Sequence, residues 1–389
     1  MTHIQRIIVC VVLASITMAH TEDATPREAL LKTYPQAAKE AITKADKLFA
    51  LPVKTVMDKT AVAASGDKHD YYSLSPYYWP NPDSADGTPF VNKDGQLNPA
   101  AESDDYDRVA YFRMADTVKF CAIAWRLTGE MKYAEKAAST MRAWFVSPAT
   151  RMKPNLNYAQ YVPGVNTGSR TGIIRGMTIL ELIDCVKIIE SSGAWTMEDK
   201  TAWSKWLSDF ANWLQESEFG IAESKALNNH GTWYDVQVAT FALEGGNTEL
   251  ASRMVREAAE KRIAKQILPD GKQPLELMRT KSWDYSVMNL DAMVRLAMLG
   301  ERVNVDLWNF TPPNGGGIRV AIDYLLPFAT GEKDWKAKQL NEFKPEAFYP
   351  VLRRAAVAYG NSSYSEALSV FASTLEPIGL DHLMYPAIP

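Results

Sequence analysis

The sequence holds little of what catalysis by a metal, a cofactor or a serine nucleophile requires. Five histidines in 389 residues form no HxxxH or HxxE spacing, so the usual metal-ligand signatures are missing. There is no G-x-S-x-G elbow, no phosphate-binding P-loop and no G-x-G-x-x-G dinucleotide fingerprint. Neither a metal nor a cofactor is expected on these grounds. Cysteine is scarce. Of the three, Cys10 lies near the start, and Cys121 and Cys185 fall within apolar helical patterns, which reads as two buried thiols and not as a CxxC metal site. A basic excess is also missing, since 42 Lys and Arg face 46 Asp and Glu. That balance disfavours a nucleic-acid partner and leaves any polyanion to be held by a local basic site. No apolar run is long enough to span a bilayer. Period-two runs are short and scattered, so β structure has little support.

What is present begins with a leader. Arg6 precedes the apolar run from Ile7 to Ile16, and Thr17-Met18-Ala19 supplies small residues at the cleavage positions. Residues 1–19 read as a secretory signal peptide, which implies a secreted or periplasmic protein. Its removal leaves 41 basic against 46 acidic residues, a net charge of −5. Residues 20–389, with the chain 47% apolar and 23% charged, have the composition of a soluble globular domain with a substantial core. Nothing in it forces a split into several domains.

The rhythm of the chain is helical. A first helical stretch from Arg27 to Met57 is interrupted near Pro35 and Pro52. Beyond Asp104, apolar residues at helical spacing end at Gly129, Gly193, Gly246, Gly300 and Gly360, at intervals of 64, 53, 54 and 60 residues. Three junctions share a form: Gly129-Glu-Met-Lys-Tyr133-Ala134, Gly246-Asn-Thr-Glu-Leu250-Ala251 and Gly360-Asn-Ser-Ser-Tyr364. Each glycine suits a helix C-cap and the residues after it a re-entry. A repeat of two long helices exceeds the period of common helical solenoids. The expected architecture is all-α, an α/α toroid of about six to seven helical hairpins forming a single domain. A generic α-solenoid is the alternative.

Four stretches break this rhythm. Residues 66–99 form a loop rich in Pro, Gly, Asp and Asn that carries Tyr71, Tyr72, Tyr77, Tyr78 and Trp79; a loop of this length is usually functional or disordered, and the aromatic rings argue for order. It is either a packing plug or a lid whose rings stack on a ligand. Asn155-Leu156-Asn157-Tyr158-Ala159-Gln160-Tyr161, followed by Gly168-Ser169-Arg170-Thr171-Gly172, reads as an irregular loop that ends at a helix start. It is either a plain connection or one wall of a groove. Leu227-Asn228-Asn229-His230-Gly231-Thr232-Trp233-Tyr234-Asp235-Val236-Gln237 sets amides, an imidazole and aromatic rings at a helix N-terminus, where backbone N–H groups and the dipole favour an anion. Capping by Asn228 or Asn229 is its plainer explanation. About fifty residues on, Gln273-Pro274-Leu275-Glu276-Leu277-Met278-Arg279-Thr280-Lys281-Ser282-Trp283-Asp284-Tyr285-Ser286 gathers further polar side chains.

Asn229, His230, Arg279 and Tyr285 suit a β-elimination from a uronic acid. The C5 proton becomes acidic only when the neighbouring carboxylate is neutralised, which an amide and a guanidinium achieve by hydrogen bonding. A base then removes the proton and an acid protonates the departing O4. Tyrosine can serve if nearby cations lower its pKa, and Arg279 and His230 are the expected sources. Glycoside hydrolysis, which needs two carboxylates across a cleft, has candidates in Asp235, Glu276 and Asp284. A non-catalytic polysaccharide-binding solenoid is a third possibility.

The motifs NNHxxWYDVQ, NLNYAQxxPG with the later Gly-Ser-Arg-Thr-Gly-Ile-Ile, and QPLELxRTxSWxYSxxNL resemble the alginate lyase superfamily of helical-toroid polysaccharide lyases. Within it the chain resembles polysaccharide lyase family 38, with a more distant similarity to the family 5 mannuronate lyases. The resemblance runs from about Tyr71 to Asn309. It implies metal-free elimination on an anionic polysaccharide of β-1,4-linked uronate, alginate and preferably polymannuronate, with glucuronan the alternative. It puts the catalytic roles on Asn229, His230, Arg279 and Tyr285. The spacing of six between Arg279 and Tyr285 is about one shorter than in family 5, and Asp284 stands where many relatives carry a histidine. In mannuronate and glucuronate the C5 proton and O4 share a face, so one tyrosine can act as base and then acid. Tyr77, Tyr78, Trp79, Tyr158, Gln160, Arg170 and Trp233 are the expected substrate-binding residues.

Overall fold

The computed structural model describes residues 27–371 and 378–386; the leader expected over 1–19 lies outside them. Helices dominate, and their boundaries follow the punctuation of the sequence. Pro35 opens the Pro35–Phe49 helix after Arg27–Thr33 has ended, as a residue without an N–H at the first helical position should. The expected helix does not resume after Pro52, and residues 52–57 are irregular. Gly129, Gly193, Gly246 and Gly360 all take left-handed φ values, between 55° and 89°, and the chain turns back at each. Asn247 and Asn361 then cap the returning helices, their side-chain oxygens accepting from Leu250 N and Ser363 N, each at 3.0 Å.

Gly300 breaks the expected pattern. The Ser282–Arg302 helix runs through it, and the reversal falls on Asn304 at φ 57°. Gly300 is there for space: a Cβ would lie 2.2 Å from the Val305 carbonyl oxygen.

Five helical hairpins follow in order among the described residues. Asp107–Thr128 pairs with Met131–Met141, Met177–Ile189 precedes Met197–Glu216, Asn229–Glu244 pairs with Thr248–Ala258, Ser282–Arg302 precedes Ile318–Ala329, and Tyr349–Tyr359 pairs with Ser362–Leu368. The first helix of each hairpin packs on the first helix of the next. The ends complete the ring, because Ile378–Met384 packs on both Tyr349–Tyr359 and Pro35–Phe49, which in turn packs on Asp107–Thr128. Arg126 donates to the carbonyls of Leu383 and Met384, both at 2.8 Å. This is the expected α/α toroid, with five hairpins among the described residues where about six to seven were expected. Inner helices are covered on all sides, so 12 of 16 residues in Asn229–Glu244 are buried; outer helices such as Thr248–Ala258 bury one stripe. Cys121 and Cys185 are buried free thiols, raised above the usual thiol range by burial.

Since each hairpin returns the chain to its starting end, the inner helices run in parallel and their N-termini gather at one end of the ring. The two long loops cover that end. Here the sequence reading missed β structure: β1 (Tyr72–Leu74) pairs in parallel with β4 (Tyr158–Tyr161), and β2 (Tyr78–Trp79) pairs antiparallel with β3 (Val91–Asn92). Strands of two to four residues have no detectable period. A buried carboxylate ties β1 to the ring, where Asp107 at the start of its helix accepts from Tyr72 N at 2.8 Å and faces Lys59 at 3.0 Å.

Candidate active site

The Asn229–Glu244 helix begins without a side-chain cap from Asn228. Its N-terminus is capped instead by a carboxylate from the 273–286 stretch: Asn229 N donates to Glu276 Oε1 at 2.6 Å and Asn229 Nδ2 to Oε2 at 2.7 Å. Asn229 is fully buried, and its Oδ1 has no partner among the described residues. The amide expected to meet a ligand thus meets Glu276. Burial raises the Glu276 pKa, while the two bonds from Asn229 and the nearby charges of Arg279 and His230 oppose the rise. Glu276 is therefore the point at which three of the four expected catalytic residues converge.

His230 projects from the first turn of the same helix. Its Nδ1 lies 2.5 Å from Glu223 Oε1, and the other oxygen of Glu223 accepts from Arg170. Glu223 is 1% exposed, at the end of the short Glu218–Glu223 helix. A carboxylate on Nδ1 fixes the imidazole's orientation and the tautomer in which Nε2 carries the lone pair. Sequence reading missed Glu223, because a glutamate in a polar helical run carries no signal of burial. Arg170, expected in a groove wall, reaches the site through Glu223.

On the neighbouring inner helix, Tyr285 occupies the first turn of Ser282–Arg302. The Arg279 guanidinium lies over its ring, 3.9 Å from the centroid, and pairs with Asp94 Oδ1 at 2.9 Å. Thr280 Oγ1 donates to Asp94 Oδ2 at 2.9 Å. Asp94 belongs to the aromatic loop, and the approach is close enough that a Cβ on Gly95, at φ 76°, would stand 2.7 Å from Thr280 Oγ1. Burial and the adjacent Tyr77 hydroxyl push the Tyr285 pKa above that of an ordinary tyrosine, with Arg279 pulling it down in part and Asp94 adding to the rise. The expected lowering by Arg279 is thus outweighed at rest, and His230 is not among the main groups that act on Tyr285.

The aromatic loop is ordered and packed over this end. Tyr77 sits beside Tyr285, with Lys281 Nζ 5.7 Å from its ring centroid. Tyr78 and Trp79 are partly exposed in β2. Trp79 Nε1 donates to Gln96 O at 3.1 Å and Lys93 lies over its ring. Tyr158 is partly exposed on β4, whereas Gln160 is buried, takes a positive φ of 52°, and accepts from Thr171 Oγ1 at 3.1 Å. Trp233 corrects the expectation: it is 2% exposed and faces the interior beneath Arg295, because its helix is buried on every side.

The three carboxylates considered for hydrolysis are all engaged. Asp235 forms a buried pair with Arg262, at 2.7 and 3.0 Å; Arg262 comes from a π-helical turn, Ala259–Ile263. Glu276 caps the Asn229 helix, and Asp284 accepts from Gln339 Nε2 at 2.9 Å. Each is held by a structural partner, where a hydrolase needs two carboxylates free to act across a cleft. Among the described residues no three His, Cys, Asp or Glu side chains cluster as metal ligands would, and no helix is long and apolar enough to cross a membrane.

A family model described as alginate lyase matches residues 55–335. A crystal structure of an alginate lyase from Bacteroides ovatus superposes with a TM-score of 0.84 at 36% identity, covering 92% of this chain and 97% of that one. Alginate lyase A1-III from Sphingomonas species A1 gives 0.53 at 14% identity, with the same two coverages. A histidine-to-alanine variant of A1-III complexed with a tetrasaccharide gives 0.51 at 14% identity and again those coverages. At that identity the last two share the fold. No curated protein sequence matches.

Proposed function

The chain belongs to the alginate lyase family and is a polysaccharide lyase; from that premise we propose that it cleaves β-1,4-linked uronate polymers, polymannuronate in preference, at the Tyr285 centre. Glucuronan is the alternative substrate, because the two polymers differ at C2 and no residue of the set is dedicated to that position. Within the family the motifs put the chain nearest to polysaccharide lyase family 38. The observation that carries the reading is the convergence of Asn229, His230, Arg279 and Tyr285 at the N-termini of two packed inner helices. A fold relative that holds a tetrasaccharide supports an oligosaccharide ligand.

In the proposed reaction the uronate carboxylate lies against Arg279, at the end of the toroid where helix dipoles favour negative charge. Tyr285, as phenolate, takes the C5 proton. The C5–H electrons become the C4–C5 double bond, the C4–O4 bond breaks, and O4 recovers the proton from Tyr285. Neither water nor an oxidant is consumed, and the products are a 4,5-unsaturated sugar and a new reducing end. Because burial disfavours the phenolate, Arg279 against the ring is the group that makes it accessible. His230, its Nδ1 held by Glu223, keeps Nε2 as its free ring nitrogen among the described residues, and Asn229 fixes the start of its helix from beneath.

Leader removal and action in the periplasm or outside the cell belong to the proposal and rest on the sequence. The test is incubation with polymannuronate, polyguluronate and glucuronan. A lyase yields the ultraviolet absorbance of the conjugated product, fastest on polymannuronate. Reducing ends without that absorbance mean hydrolysis, and neither signal means binding alone.

A further inference from the structure

We propose that Arg108 and Arg175 form a second carboxylate subsite, beside the Tyr285 centre, that binds the uronate adjoining the one cleaved. The inference rests on the uronate-lyase reading. Both side chains stand at the loop-covered end of the ring, on the two inner helices that precede His230. Arg108 is the second residue of Asp107–Thr128, and Arg175 lies in the 3-10 turn Arg170–Gly176 that feeds Met177–Ile189. Their guanidinium carbons lie over one ring, Phe112, at 5.2 and 5.3 Å from its centroid.

Several structural arginines in this molecule hold carboxylates. Arg262 holds Asp235, Arg142 holds Asp199, and Arg353 holds Asp381. Arg175 is different: among the described residues no carboxylate lies within ion-pair distance of it, and none accepts a hydrogen bond from its guanidinium. Arg108 has one loose contact, 3.7 Å from Glu102, whose side chain is 51% exposed. Two guanidinium groups brought together without a buried counter-charge are unfavourable unless an anion joins them. The groups that act electrostatically on Arg175 are Tyr71, Tyr77, Tyr111 and Arg108, and Tyr77 is also the neighbour of Tyr285. Tyr77 thus lies within electrostatic reach of both Arg175 and Tyr285. A 1,4-linked polyuronate carries a carboxylate on every sugar, so a chain with one carboxylate on Arg279 offers the next to a planar fork that binds carboxylates bidentately.

The test uses the full-length Tyr285→Phe protein, which leaves substrate intact, and titrates it with a mannuronate tetramer in a calorimeter at two salt concentrations. Adding Arg175→Gln or Arg108→Gln is expected to weaken binding about tenfold or more, the loss of a charged hydrogen bond, and to flatten the salt dependence. Arg175→Lys, which keeps charge without the fork, should fall between. In the otherwise wild-type enzyme Arg175→Gln should raise KM about tenfold while kcat changes less than fivefold. Affinity within twofold of the parent for both Gln variants overturns the subsite, as does a fall in kcat with KM unchanged. Arg108→Gln, altered in a helix's first turn, decides the matter should Arg175→Gln not fold. A wild-type enzyme that forms no unsaturated product from any uronate polymer refutes the lyase reading itself, separately from these affinities.

Discussion

Replacing Glu223 with Gln keeps the size of the side chain and removes the charge that joins His230 to Arg170. The wild-type carboxylate accepts from both neighbours. An amide has one accepting oxygen, and if that oxygen stays on Arg170, its NH2 faces Nδ1 and requires the lone pair there, so the proton moves to Nε2. A hydrogen bond to a charged group is worth about 1.5 to 3 kcal/mol, equivalent to roughly 10- to 150-fold if only the orientation of His230 is lost. The wrong tautomer also puts an N–H in place of the Nε2 lone pair. Glu223→Gln is therefore expected to lower kcat by roughly 10- to 150-fold. KM should move by less than about threefold, since a residue 1% exposed cannot touch the polymer. Initial rates of unsaturated product on polymannuronate, with a melting curve to confirm folding, measure both. A folded variant with kcat within threefold of wild type would refute the role given to Glu223.

Two further outcomes follow from the loop. Asp94→Asn removes a negative charge that raises the Tyr285 pKa. The phenolate is the minor form at neutral pH, so kcat/KM climbs with pH, and the variant's climb should be displaced to lower pH; an unmoved or upward-shifted midpoint in the pH–rate profile contradicts the electrostatics. Trp79→Ala should raise KM several-fold while costing about 1 kcal/mol of stability from its bond to Gln96 O, whereas a collapsed melting temperature with unchanged kinetics in the folded fraction would make the loop a packing plug.

The helical repeat was legible because glycine punctuates it. Gly129, Gly193, Gly246 and Gly360 are left-handed turns that few other residues adopt. Gly300 misled because a glycine chosen for close packing looks the same in sequence as one chosen for φ. The polar clusters around Asn229–His230 and Arg279–Tyr285 were visible as chemistry in helical surroundings, and the fold brings them together. What supports them was not visible. Glu223, Glu276 and Asp94 act through burial and through pairing over sequence separations of 7, 47 and 185 residues, which local pattern does not encode. Trp233 was misjudged for a related reason: on an inner helix every face is interior, so an aromatic beside a polar cluster is core before it is wall.

The central claim is that Tyr285 moves the proton from C5 to O4, and the turnover of Tyr285→Phe measures it directly. The ring and its stack with Arg279, 3.9 Å from the centroid, survive the substitution, so folding and substrate binding should persist. Followed by the absorbance of unsaturated ends on polymannuronate and on glucuronan, kcat is expected to fall by more than about 10², since the same hydroxyl serves both transfers. A folded Phe variant that keeps a tenth or more of wild-type kcat on its better substrate would contradict the account.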